Sequence, residues 1–130
     1  MTWQDAALAL AGVIGSSVAV FHGVLTQRLM VAPIGAVLSG EKRLSAPIRK
    51  LVPVLLHFST FAWLVGGLAL IAAAASPDRD LKLAIGLLVG SLYLFGAVGN
   101  GWATRGRHPG WMLMAAAIVL IAYGIGGSGG

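Results

Sequence analysis

Four stretches without Asp, Glu, Lys or Arg, at about 6–27, 51–75, 83–104 and 109–126, dominate this sequence. Each reaches or approaches the roughly 20 residues that an α-helix needs to cross about 30 Å of hydrocarbon. In hydrocarbon a backbone must satisfy its own amides and carbonyls, so runs of this kind fold as helices. The expected architecture is all-α: a single membrane domain over residues 1–130, arranged as an up-down bundle of four transmembrane helices. Composition agrees, with 58% hydrophobic and 10% charged residues, where a soluble domain carries about 25% charged. A first apolar run with no basic residue ahead of it reads as a retained span and not as a cleaved leader.

The breaks between the runs set an expected orientation. Arg28, Lys42, Arg43, Arg49 and Lys50 share the first break (about 28–50) with one acid, Glu41, and Arg105, Arg107 and His108 occupy the third (about 105–108) with none. In the second break, Ser76-Pro77-Asp78-Arg79-Asp80, the charges balance apart from nearby Lys82, and the tail Gly126-Gly127-Ser128-Gly129-Gly130 has no side-chain charge. Lys and Arg concentrate in cytoplasmic loops, so the first and third breaks are expected inside and both termini outside, in a bacterial-type inner membrane. The net charge of +5 is confined to these short breaks, which argues against nucleic acid as a partner and for anionic lipid headgroups. The absence of cysteine removes disulfides and thiolate chemistry.

The first break is apolar from Leu29 to Leu38 apart from its ends, and Pro33 and Gly35 interrupt it, so a segment lying on the membrane surface is expected there. Pro47 and Pro53 suit the first turns of the following helix. Inside lipid, small residues let helices approach closely. Ala11, Gly15, Ala19 and Gly23 recur every four residues in the first span, and Gly86 and Gly90 form a GxxxG in the third. Both stripes predict tight packing, within the chain before self-association. Trp3, Trp102 and Trp111 fall near the expected interfaces, where anchoring aromatics concentrate.

Ionisable side chains inside a membrane are costly enough to suggest function, and the spans hold two, His22 and His57. Counted from Arg28 and Lys50 they lie roughly 9 and 10 Å inside the same boundary, level with each other on adjacent antiparallel helices. Thr26, Ser59, Thr60, Tyr93 and Asn100 join them in a candidate polar cluster, mostly in the cytoplasmic half. Two level imidazoles can ligate a haem or share a metal with a third ligand such as His108; they can relay protons; or they can hold helices together through hydrogen bonds to carbonyls, Thr26, Thr60 or Asn100. No Asp or Glu lies in any span, which removes the usual carboxylate of proton-coupled carriers, and Ser16, Ser17, Ser59 and Ser91 lack a group to orient a histidine.

Phe58-Ser59-Thr60-Phe61 resembles the FSTF run of bacterial fluoride channels, which are also small, basic and four-spanning. There the run belongs to the third span and follows an earlier Asn; here it lies in the second span and Asn100 comes later, so the four-residue match is read as coincidence. Arg49, Lys50, Trp102, Arg105, Arg107, His108 and Trp111 form a basic, aromatic-flanked set suited to a lipid headgroup or a partner's acidic loop. With no reaction-specific constellation and no extramembrane domain in these residues, the chain reads as a noncatalytic accessory or scaffolding subunit of a membrane complex. The alternative is a haem-binding or transport protein using His22, His57 and Asn100.

Overall fold

The structure, a computed structural model, describes residues 1–126; the charge-free tail from residue 127 onward lies outside the described residues. All regular structure in it is helical: α1 (Trp3–Thr26), a π-helical turn (Gln27–Val31), α2 (Ala32–Gly40), α3 (Ala46–Ala75), α4 (Arg79–Ala103) and α5 (Gly110–Gly126). Three helices are long and apolar enough to cross a membrane, Trp3–Gly40, Ala46–Ala75 and Arg79–Ala103, and α5 is shorter, with 17 residues. They point to a membrane location. The exposed surface agrees: Phe58, Phe61, Phe95 and Val119 all face outward, as side chains do whose solvent is lipid.

Local chemistry starts the helices. Thr2 caps α1 in a reciprocal box with Asp5, the Asp5 amide donating to the Thr2 hydroxyl at 3.2 Å and the Thr2 amide to the Asp5 carboxylate at 2.8 Å. Asp78 caps α4 by accepting from the amides of Asp80 and Leu81. Pro47 stands in the first turn of α3, as expected. Pro53 does not: α3 begins at Ala46, so Pro53 falls inside the helix. Its ring removes the amide that would bond the Arg49 carbonyl, a cost of about 3 kcal/mol in an isolated helix.

The first break departs most from expectation. No surface segment turns away after Thr26; the helix runs on to Gly40, 38 residues in all. Pro33 is accommodated by one widened turn, in which the Ala32 amide bonds the Gln27 carbonyl five residues back, relieving the clash a proline makes with an ordinary α turn. Continuous amide pairing at Gln27 and Ala32 is why the segment stays helical in spite of Pro33 and Gly35.

Helices α1, α3, α4 and α5 form a ring in which α1 packs on α3 and α5, and α4 packs on the same two. Sequence neighbours α3, α4 and α5 are thus antiparallel neighbours in space. The α1–α3 seam is the most extensive, and its register runs antiparallel, from Gly12 beside Gly67 and Ile71 to Gly23 beside Thr60. A side-chain carbon on Gly12 would stand 2.5 Å from the Gly67 carbonyl oxygen, so the two backbones touch there only because neither residue has one. The two stripes seen in the sequence also pack internally: Gly15 receives the Tyr93 ring, and Gly86 receives Ile125 of α5. The core runs along the bundle, from Leu8 and Leu70 near the end that carries the N-terminus through Val89 and Tyr93 to Trp63, Ala97 and Met114 toward the other. At the N-terminal rim Lys82 of α4 reaches the Asp5 carboxylate at 2.5 Å. Lys82 is therefore not the unbalanced charge it looked to be in the sequence.

Candidate functional site

The opposite half of the bundle carries the polar side chains. His22 on α1 is half-buried, and its Nε2 lies 3.1 Å from the Ser59 hydroxyl of α3. The imidazole also leans on the indole of Trp63, ring centres 4.5 Å apart and planes 52° apart. Trp63 is held in turn: its edge fills the notch at Gly96, and its carbonyl accepts from the fully buried Tyr93 hydroxyl at 3.3 Å. Asn100, a turn beyond Gly96 on α4, donates one amide hydrogen back to the Gly96 carbonyl at 2.9 Å. His22, Ser59, Tyr93 and Asn100 are thus brought around one residue that sequence reasoning missed. The available signal was position: Trp63 is the one tryptophan deep inside an apolar run, four residues after Ser59 and so on its helical face.

These residues border two cavities. One, of about 330 Å³, lies between α1 and α5, bordered by Trp63 of α3 and Asn100 of α4, by His22 and Ser17 along α1, and by His108 and Leu113 around the start of α5. The other, of about 280 Å³, lies between α3 and α4 on the far side of the His22–Trp63 pair. At the N-terminal end α1 and α5 close on each other, Leu8 filling the space over Gly124, so the first cavity is a wedge that widens toward the basic end.

His57 is not part of this cluster. Its Nε2 lies 2.9 Å from the Gln27 side-chain oxygen, and it borders a separate shallow depression with Thr60, Gly23 and Arg28. A haem held by both histidines would need both imidazoles in one cavity, and here each ring faces its own partner on either side of the α1–α3 seam. Among the described residues no group of three or more His, Asp or Glu side chains could hold a metal ion. Gln27, the partner of His57, was also missed; it is the one long amide at the end of the first apolar run. Thr26 is buried, and the hydroxyl of Thr60, like that of Ser16, is buried without a hydrogen-bond partner among the described residues.

The basic residues lie at one end but at different heights. Arg105 and Arg107 are exposed in the α4–α5 turn, which ends α4 with the Gly106 amide bonding the Gly101 carbonyl at 2.8 Å and the Arg105 amide the Trp102 carbonyl at 3.2 Å. This is a Schellman arrangement, with Arg105 in the left-handed position at φ 51°. Trp111 secures the turn by donating to the Gly106 carbonyl at 3.1 Å, while Trp102 projects outward, 84% exposed. His108 Nδ1 accepts from the Gly110 amide at 3.1 Å and so caps α5. Arg49, which donates to the Glu41 carbonyl, and Lys50 stand farther out on α3, roughly 12 Å of helix beyond His57.

No protein-family model, no curated protein and no solved structure matches this chain.

Proposed function

We propose that the chain is a noncatalytic, four-span protein of a bacterial-type cytoplasmic membrane, both termini outside, acting as an accessory subunit that grips a larger assembly through its inner hairpin. The observation that carries this is the overhang of α2 and the start of α3. Leu25, the residue of α1 farthest from the N-terminus on the cavity, shares it with His108 and Pro109 of the α4–α5 turn, which sets that turn near the end of α1. Beyond that level the first helix continues through Gly40, roughly 20 Å of rise, with only the beginning of α3 beside it.

A helix of 38 residues is roughly 57 Å long, nearly twice the hydrocarbon thickness. The overhang is not polar enough for a free stalk. Leu29 is 69% exposed, Val37 73% and Val54 64%, while Lys42, Arg43 and Lys50 cluster at its tip. Apolar flanks below a basic tip suit a partner's membrane-proximal surface and anionic headgroups at once.

The test is extraction in a mild detergent, sizing of the complex, and mass spectrometry of what remains bound. Stoichiometric recovery with a larger membrane assembly, lost in Val37→Glu with the bundle still folded, is the expected result; recovery as a solitary 13.3 kDa chain would sink the proposal. Reporter fusions at either terminus test orientation separately and should report the outer face.

A further inference from the structure

We propose that the wedge between α1 and α5 is a binding site for the head of a lipid-soluble quinone, whose tail leaves through the side of the bundle. The inference is independent of the accessory-subunit proposal, since it rests on the cavity and not on the overhang.

The cavity selects first by charge. No Asp, Glu, Lys or Arg borders it, so a charged ligand would enter a largely apolar space without a counter-ion, a cost of several kcal/mol or more. Its volume of about 330 Å³ is at the small end of organic-ligand pockets, enough for one ring system and not for a folded lipid. Phe21 and Trp63 put aromatic carbon into its lining, against which an apolar ring can pack.

Hydrogen-bond accounting narrows the class further. His108 uses Nδ1 as an acceptor for the Gly110 amide, so its neutral ring carries hydrogen on Nε2, which has no partner among the described residues. Asn100 commits one amide hydrogen to the Gly96 carbonyl; its second amide hydrogen and its carbonyl oxygen are uncommitted among the described residues. The cavity therefore offers spare donors on Asn100 of α4 and His108 just before α5, beside the Ser17 hydroxyl of α1 and the second ring nitrogen of His22, whose Nε2 faces Ser59. A quinone presents two carbonyl oxygens and no donor, and matches them. After reduction elsewhere to a hydroquinone, a hydroxyl could donate to the Asn100 oxygen, so either redox form is accommodated without a redox step in this chain. A hydrocarbon would leave these groups unpaired, and a fatty acid would bring a charge.

The mouth fits the rest of such a molecule. Phe21, 72% exposed, and Leu113, 48% exposed, border the cavity from α1 and α5, so an isoprenoid tail can pass between them onto the apolar outer face of the bundle.

The test is calorimetric titration of the detergent-solubilised full chain with decylubiquinone, with decylbenzene as a tail-only control. Saturable one-to-one binding is expected for the quinone alone. Asn100→Leu should weaken it by about tenfold, the usual effect of one lost hydrogen bond in a dry site. Ser17→Trp, which fills the wedge, should abolish it, and His57→Ala, outside the cavity, should leave it unchanged. Thermal melts establish which variants are folded, and Leu113→Trp at the mouth stands in for Ser17→Trp should that variant fail to fold. Non-saturable uptake, equal binding of decylbenzene, or wild-type affinity in both Asn100→Leu and a folded wedge-filling variant would overturn the proposal.

Discussion

The two halves of this bundle hold together by opposite means. Toward the N-terminal end, glycines serve as sockets: Gly12 and Gly67 let two backbones touch, Gly15 receives Tyr93, and Gly124 receives Leu8. Toward the basic end, the helices part around two cavities, and side chains bridge the gaps, His22 to Ser59 and His57 to Gln27. Glycine is less uniform there: Gly23 and Gly96 still meet Thr60 and Trp63. Gly35 and Gly99, both at the basic end, have nothing within 4 Å of where a side-chain carbon would stand. In lipid, where helices gain nothing from hiding apolar surface, van der Waals contact through small residues supplies stability and open space supplies room for something else. One half is a clamp and the other a vestibule.

The sharpest way to break that contrast is a pair of glycine substitutions. Gly12→Val puts a branched side chain against the Gly67 carbonyl and Ile71, contacts that backbone cannot yield without separating α1 from α3. A loss of about 3 kcal/mol is expected, at the upper end for overpacking. Gly99→Ala meets open space and should be neutral or gain up to about 1 kcal/mol from helix propensity. Denaturant titration in micelles measures both, and similar losses at the two positions would erase the distinction between the halves.

A smaller effect of opposite sign is expected at the turn that closes the open half. Arg105 adopts φ 51°, a left-handed conformation that costs a side chain about 1 kcal/mol and glycine nothing. Arg105→Gly should therefore stabilise the fold by about 1 kcal/mol. A destabilised variant would mean that the guanidinium contributes more to the α4–α5 turn than its exposed position indicates.

How much of this was legible in the sequence follows the same division. The apolar runs located the helices because a polar backbone in hydrocarbon has few alternatives, and the four-residue stripes of Gly15 and Gly86 identified faces that do pack. Residues 27–40 misled because Pro33 and Gly35 signal a break in an isolated helix, whereas one π turn absorbs the proline. The polar cluster was half legible. Height along a helix can be counted from charged boundaries, which put His22, Ser59 and Asn100 near one level, and all three border one cavity. The azimuth of each helix depends on tertiary packing, so the separation of His57 from His22 across the seam could not be counted. Trp63 went unread because its role is set by a notch at Gly96, a residue 33 positions away.

Bridges in the open half should each matter little. Ser59→Ala removes the partner of the His22 Nε2, and hydrogen bonds between membrane helices average about 0.6 kcal/mol, so a loss of that order is expected. The imidazole would keep its place through Trp63. Equilibrium unfolding of Ser59→Ala, His22→Ala and the double variant gives the coupling directly. A coupling above about 2 kcal/mol would make this contact part of the clamp and blur the division between halves.

The weakest expected effect lies at the far rim, where Asp5 bonds Lys82 at 2.5 Å. The hydrogen bond from Lys82, helped by the Thr2 amide, holds the Asp5 carboxyl down at about 2, against an ordinary 3.8. An acid with a lowered native pKa binds its proton less readily in the folded chain than in the unfolded one. Its contribution is therefore fully present above about pH 4 and is lost as pH falls from 3.8 through about 2. The pair sits at the rim of the bundle with its side chains still 18% and 13% exposed, so salt reaches it, and the loss should be small and should shrink further in high salt. Melting curves of wild type and Asp5→Asn should run parallel from pH 7 to 5 and converge below pH 4. Curves that stay parallel down to pH 2 would show that the contact contributes nothing to the closed end, leaving its stability to the glycine sockets alone.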